Sequence, residues 1–410
     1  MGQYTKYSVY RKELYINGTW VPTSEYSARI IEEYSADCGY IPLECETLAT
    51  YTNNQETYHI KGTLSPSYFS GDTSLVSLEM DDCITAIDDY ALRDCSGLTS
   101  VTLSSAITAI GDAVFMNCNS LLDITTPEQV TILSHNLFTF DHALSSVTHL
   151  GNITSIGSWT FAYCSNLSAY TIPSSVTSIG ESAFQGCWQL RSIVIPNGVT
   201  SLSNSLFSSD WRLTSVTIPN SVTSIGDSVF NGCSALSSLT IPSSVTSIGD
   251  GAFNDCSGFT TITIPSSVTS IGDWCFGGCK SLTSIPTLSS SFTTFGIGWF
   301  SNCTSLTSIS VPSNITTIDQ SCFSGCTSLN NVSIPSSVGT ISYEAFADCG
   351  SFTINYNGTK DQWNNMDKII DFGTDINEDF YDISWNARSY VVVNCTDGTI
   401  IEDGRNRHNE

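Results

Sequence analysis

Ten cysteines stand on a grid: Cys95, Cys118, Cys164, Cys187, Cys233, Cys256, Cys279, Cys303, Cys326 and Cys349. Grid points lie 23 residues apart, save one step of 24 between Cys279 and Cys303, and the two vacant points carry Asp141 and Asp210, making twelve rungs. Other columns keep this register. Three residues before each grid point stands Leu92 and then eleven phenylalanines, Phe115 to Phe346. Three residues after it comes Leu, or Phe at Phe259 and Phe352. A unit of this size cannot bury its apolar side alone, so neighbours must stack into a solenoid.

One full rung reads IGDSVFNGCSALSSLTIPSSVTS, Ile225 to Ser247. In the preceding unit the spacing Leu213-x-x-Val216-x-Ile218-Pro219 is that of a strand with Val216 and Ile218 inward and Ser215 and Thr217 outward. Pro219 ends the strand because it has no N–H to donate. A second short strand is expected at 222–225. Gly226 then bends the chain, and Asp227 is placed to cap one or two helical turns carrying Phe230, Cys233 and Leu236 inward.

These columns resemble the BspA-like leucine-rich repeats, whose hallmark is I-P-x-x-V-T-x-I-G-x-x-A-F-x-x-C-x-x-L, over roughly residues 80–354. The tail YNGTKDQWNNM, with SWN and VVVNCTDGTI after it, is similar to the segment that closes such arrays. The resemblance implies a leucine-rich-repeat solenoid, β-rich, with short parallel strands and short helical turns in about twelve rungs of 23 residues. It also implies adhesion at a cell surface. The expected division is an N-terminal attachment and capping module over 1–75, the solenoid over 76–354, and a C-terminal cap with acidic tail over 355–410.

The charge balance narrows the partners. Only 13% of residues are charged and the net charge is −25, which excludes nucleic acid, since phosphates require Lys and Arg, and disfavours an anionic membrane surface. No apolar run reaches the roughly 18 residues of a membrane-spanning helix. The opening MGQYTKYSVYRKELYI has no apolar h-region, so no secretory leader is expected within it. Acidic residues gather at the ends: 15 in 1–94, 13 in 95–349 and 11 in 350–410. Charged outer faces there would stop end-to-end stacking. Segments 8–15 and 19–22 read as strands around an Asn17-Gly18 turn. The stretch QYTKYSVYRKELYINGTWVPTSEY resembles the opening of virion-associated proteins of tailed phages of gut bacteria.

Several residues invite a chemical reading. CFGGC at 275–279 and CFSGC at 322–326 are two Cys-x3-Cys pairs. Thiolates on one zinc lie within about 4 Å of each other, whereas pairs two rungs apart are separated by nearly 10 Å at strand spacing. One metal cannot join them. Cys275 and Cys322 fill a column that elsewhere holds Ala91, Ala183, Ala252, Ala345, Val114 or Val229, so a packed interior explains them. Grid cysteines are expected as reduced thiols, because Asp141 and Asp210 substitute for them; the column needs a small group bonding backbone N–H. Cys38 and Cys45 could pair.

Asp227, Asp250 and Asp273 form one column on consecutive rungs, where calcium or ordinary capping would relieve stacked charge. No other cofactor is indicated. His135, His142 and His149 fall on different sides of one rung. Thr102, Thr125, Thr148, Thr171, Thr217, Thr240 and Thr263 line one outward column, interrupted by Val194. They are expected to satisfy one another along the ladder or to present a flat hydroxyl face to a glycan or polar surface. No HExxH, GxSxG or phosphate loop occurs in a suitable context.

The expected function is therefore non-catalytic recognition or adhesion at a virion or extracellular surface. The partner would be a protein or glycan on a host or neighbouring surface, with attachment through residues 1–75. A phage fibre or decoration, a bacterial or protist adhesin, and a structural component without ligand are the forms this takes. Neither nucleic acid nor membrane insertion is expected.

Overall fold

Val216 is buried between exposed Ser215 and Thr217 in the strand Ser215–Thr217, as the two-residue period of a half-buried strand requires. After Pro219 the chain bends into a second strand, Ser224–Ile225, with Ile225 inward. Each strand pairs in parallel with its counterpart 23 residues away: Ile193 with Val216, Ser224 with Ser247, Ile225 with Ile248. This computed structural model describes residues 13–16, 19–22, 45, 47–368 and 391–402. Through them runs one core, from Ala49 to Val393.

The third side of each rung departs from the helical turns the sequence suggests. Ser228 and Gly232 have φ of 54° and 74°, incompatible with a right-handed helix. The same two columns, five residues and one residue before the grid point, have positive φ on all twelve rungs, from Tyr90 and Asp94 to Glu344 and Asp348. Gly, Asn and Asp, which tolerate this region best, hold many of these positions, and Ser several of the rest.

The segment is a run of β-turns. Asn231 N–H donates to Ser228 O at 3.1 Å and Cys233 N–H to Phe230 O at 3.0 Å. The intervening N–H groups point at the next rung: Ser228 to Asp250 O at 2.8 Å, Phe230 to Ala252 O at 2.9 Å and Gly232 to Asn254 O at 2.8 Å. A helix would have turned all these donors onto its own carbonyls. This set recurs at every step from Ser67 to Ala347.

Inside the turn layer, phenylalanine rings stack from Phe115 to Phe346, with neighbouring centroids 5.3–5.9 Å apart and planes within 20°. Each grid thiol donates to the carbonyl of the phenylalanine column one rung back, as Cys233 Sγ does to Phe207 O at 3.1 Å and Cys256 Sγ to Phe230 O at 3.0 Å. Bonding backbone N–H, as the sequence reading had it, is therefore not the thiol's task. The thiol is a donor, and a phenylalanine carbonyl takes both it and the N–H of its own rung.

The turns number about thirteen. Ser67 and Gly71, with φ of 56° and 79°, repeat the two positive-φ columns around Phe69, one rung ahead of Cys95. Gly62–Leu64 already pairs in parallel with Ile84–Ile87, so the ladder reaches back of residue 76. Asp72 occupies that grid point, which hides the rung from a count of cysteines.

Both ends close by reversing strand direction. Thr47–Tyr51 pairs antiparallel with Leu75–Glu79 and with Gln55–Tyr58. At the other end Val391–Cys395 continues the parallel sheet beside Thr353–Tyr356, and Gly398–Glu402 folds back antiparallel on it. The helix Lys360–Asn364, held by a Thr359–Gln362 capping box, buries Trp363 beneath this hairpin, and Trp363 Nε1 donates to Glu402 Oε1 at 2.8 Å. Farther upstream, Glu13–Ile16 and Thr19–Pro22 pair antiparallel, flanking the expected Asn-Gly. Cys45 is disulfide-bonded to Cys83 across 38 residues, not to Cys38, which lies outside the described residues. In the loop-entropy account such a closure contributes about 4 kcal/mol. It ties the N-terminal cap to the first rungs.

The close stacking makes certain glycines obligatory. A Cβ on Gly272 would lie 2.2 Å from Asp250 Oδ1 and 2.4 Å from Asp250 N, whereas one on Gly339 would meet nothing within 4 Å. Gly272→Ala is expected to lower stability by about 1–3 kcal/mol, read as a reduced urea midpoint. Gly339→Ala should be neutral or raise it by up to ~1 kcal/mol. Equal midpoints for the two variants would contradict the close approach.

Candidate functional site

Two outward threonine columns look alike in sequence and differ in the fold. In one, most hydroxyls donate to the carbonyl of the same column one rung back, as Thr154 does to Thr131, Thr223 to Thr200 and Thr246 to Thr223, at 3.1–3.2 Å. Those carbonyls also accept the backbone N–H. The other column is Thr102, Thr125, Thr148, Thr171, Thr217, Thr240 and Thr263. All seven are exposed, and among the described residues none of their hydroxyls makes a side-chain hydrogen bond. Mutual satisfaction, expected for this column, is found in the other one. Side-chain direction relative to the ladder carbonyls decides this, and spacing does not encode it.

The exposed column is also less regular than its spacing suggests. Thr125 pairs with Thr148 and Val194 with Thr217, but Thr171, Thr240 and Thr263 lie outside the assigned strands. In the 24-residue rung the extra residue falls between the two strand columns. There the chain parts from its neighbour and leaves a cleft of about 260 Å³ lined by Thr263, Ile262, Ile264, Ile285, Pro286 and Leu288.

On the acidic edge each carboxylate already has a donor. Asp227 Oδ1 accepts the N–H of Asp250 at 2.9 Å, Asp250 Oδ1 that of Asp273 at 2.9 Å, and Asp273 Oδ1 that of Ile297 at 3.2 Å. The capping is thus between rungs, not within one. Asn204 and His135 do the same at this column, with Asp227 N–H and Ser158 N–H as donors. The column calls for an acceptor; charge is incidental. Among the described residues no three His, Cys, Asp or Glu side chains are grouped to hold a metal ion.

The histidines separate as their offsets indicate. His149 is the inward one, with Nδ1 2.9 Å from Thr126 Oγ1 and Nε2 2.7 Å from Tyr170 Oη. Burial lowers its pKa to about 4, so it sits neutral between two hydroxyls. His142 is exposed and 3.3 Å from Ser165 Oγ.

Cys275 and Cys322 are fully buried, as a column of alanines and valines requires. Burial also pushes the thiols of Cys164, Cys187, Cys233 and Cys256 well above their ordinary range, which keeps them protonated donors and poor nucleophiles. Asp141 and Asp210 stand fully buried in the same column. Burial raises both carboxyls well above the usual range. Neither carboxyl repeats the thiol's bond to the phenylalanine carbonyl one rung back: Asp141 Oδ2 and both oxygens of Asp210 have no hydrogen-bond partner among the described residues. Asp141 Oδ1 accepts Cys118 N–H at 2.7 Å.

Trp188 and Trp211, which no motif in the sequence marks as functional, are exposed on consecutive rungs. Their signal was present: two indoles in a column otherwise mostly Ser, Thr and Asn.

A family model described as BspA type leucine rich repeat region matches residues 62–187, 131–260 and 224–353, in six copies. Among curated protein sequences none matches. Among solved structures, a leucine-rich repeat protein from Bacteroides ovatus ATCC 8483 aligns at 24% identity with a TM-score of 0.56, covering 78% of this chain and 95% of its own. A leucine rich cell surface protein from Faecalibacterium prausnitzii A2-165 aligns at 27% identity with a TM-score of 0.44, covering 79% and 96%. The first of these shows the same fold.

Two titrations test the buried groups. The folded carboxyls of Asp141 and Asp210 stay neutral while the unfolded ones ionise near pH 4, so each withdraws stability as pH rises above about 4. Relative to the native chain, Asp141→Cys/Asp210→Cys should gain about 1–3 kcal/mol per site at neutral pH and nothing near pH 3.5. Thermal unfolding at both pH values measures this, and parallel curves would refute it. His149 behaves in the opposite sense: its depressed pKa removes stability as pH falls from about 6.5 through about 4. Its imidazole resonances should show no protonation above about pH 5 in an NMR titration.

Proposed function

The chain belongs to the BspA type leucine-rich-repeat family, and from that premise we propose that it is a non-catalytic recognition or adhesion protein displayed on an extracellular surface. The observation that carries this reading is the column Thr102 to Thr263: exposed hydroxyls with no partner among the described residues, beside a second threonine column most of whose hydroxyls are turned to backbone carbonyls. Free donors and acceptors at a fixed interval suit a polar, repetitive ligand such as a glycan, or a protein surface of the same character. The Cys45–Cys83 disulfide favours an oxidising location. Buried thiols are compatible with it, because they are out of reach of oxidants.

Residues 1–75 remain the proposed attachment end. Display on a phage virion is a finer form of the same reading and rests on the opening residues, most of which lie outside the described part of the chain. Genes for capsid and tail proteins beside this one would favour it. A coding sequence for a secretory leader ahead of Met1 would favour a cell-surface adhesin instead.

Thr217→Asp and Thr240→Asp place carboxylates on the face without touching the core. Immobilised native chain is expected to capture surface glycans or glycoproteins from a defined panel, and the double variant to lose most of that capture with an unchanged unfolding midpoint. Equal capture by both would remove the face from the proposal.

A further inference from the structure

Outward positions of the repeats are mostly small and polar, and a large apolar side chain there is not required by packing; Tyr90, Trp274 and Tyr343 are exposed too, but each stands apart on its own rung. Trp188 and Trp211 are 40% and 44% exposed at the same position of consecutive rungs. The column elsewhere holds Ser96, Asn119, Ser165, Ser234 and Ser257. The guanidinium of Arg212 lies 4.6 Å from the centre of the Trp211 ring, and its Nη1 donates to Gln189 Oε1 at 2.6 Å. The cation is thus held by an indole and tied to the rung below. Arg191 is exposed three residues after Trp188. Of 14 Lys and Arg in the chain, only Arg191, Arg212 and Lys280 lie between residues 94 and 359. Two of these three stand beside the two indoles, in a chain of net charge −25.

We propose that Trp188, Trp211, Arg191 and Arg212 form a binding site for a carboxylate-bearing carbohydrate, a uronate or sialate residue of a surface glycan. This rests on the recognition function above and names its ligand class. A pyranose ring has an apolar C–H face that packs on an indole and an edge of hydroxyls. Exposed Ser192 and Ser209 lie on the same rungs and can answer that edge, while the hydroxyls of Thr214 and Ser234 are turned to the carbonyls of Arg191 and Trp211 at 3.0 and 3.3 Å. A fixed guanidinium pairs with a carboxylate through two parallel hydrogen bonds. A protein partner would bury some 800 Å² on each side with an apolar centre; two indoles ringed by serines make a much smaller patch.

The test uses the full chain on an array of uronate- and sialate-containing oligosaccharides, each beside its methyl ester. Acidic members should be retained at least about tenfold better than their esters. Trp188→Ala and Trp211→Ala should each lower retention about tenfold, and Arg212→Gln should abolish the preference for acid over ester, all with unchanged unfolding midpoints. Retention of uronates alone, sialates alone or both identifies the source within this class. The proposal is overturned if no acid exceeds its ester, if the double Trp variant binds as the native chain does, or if only proteins are captured. Glycan capture lost in Thr217→Asp/Thr240→Asp but intact in the Trp variants would sink this site and leave the recognition function standing.

Discussion

Everything in this solenoid depends on how the turn layer disposes of its backbone donors. Three N–H groups per rung, at the positions of Ser228, Phe230 and Gly232, cross to the next rung, while those between them close turns on their own. The two strand columns are interrupted, with the pairing divided into several short sheets. The turn ladder is unbroken from Ser67 to Ala347. Buried amides left unpaired cost about as much as any single contact can return, so this ladder sets the rise and register that the strands then share.

The unusual composition follows from that ladder. Positive φ at two positions per rung favours Gly, Asn and Asp. A rung one strand spacing away leaves no room for a Cβ at Gly249 or Gly272. The phenylalanine carbonyl has one lone pair left after its own turn closes, and a thiol one rung on takes it. Cysteine serves here as a small apolar donor. Asp141 and Asp210 fill the same column as small groups that burial keeps neutral.

Since backbone and core carry the stack, the outward columns are free to vary. Ser and Thr fill most of them, some turned to ladder carbonyls and some to solvent. Against that background Trp188, Trp211, Arg191 and Arg212 are concentrated departures. Antiparallel hairpins close the two ends.

The grid of Cys95 to Cys349, with its phenylalanines and prolines, by itself determined a stacked solenoid, its register and its buried columns. Repetition makes each contact legible many times over. It also determined that Cys275 and Cys322 are interior residues, because their column mates are alanine and valine. Tertiary structure decided what depends on the direction of a donor. The stretch around Phe230 matched a helical turn in spacing, yet positive φ at Ser228 and Gly232 turned its amides toward the next rung. The rung around Phe69 lacked a cysteine and was invisible to the grid, and Cys45 found Cys83 through chain reversal that no spacing records. Two threonine columns of equal character were separated only by where their hydroxyls point, since a repeat fixes which residues recur on a face but not which backbone carbonyl lies within reach.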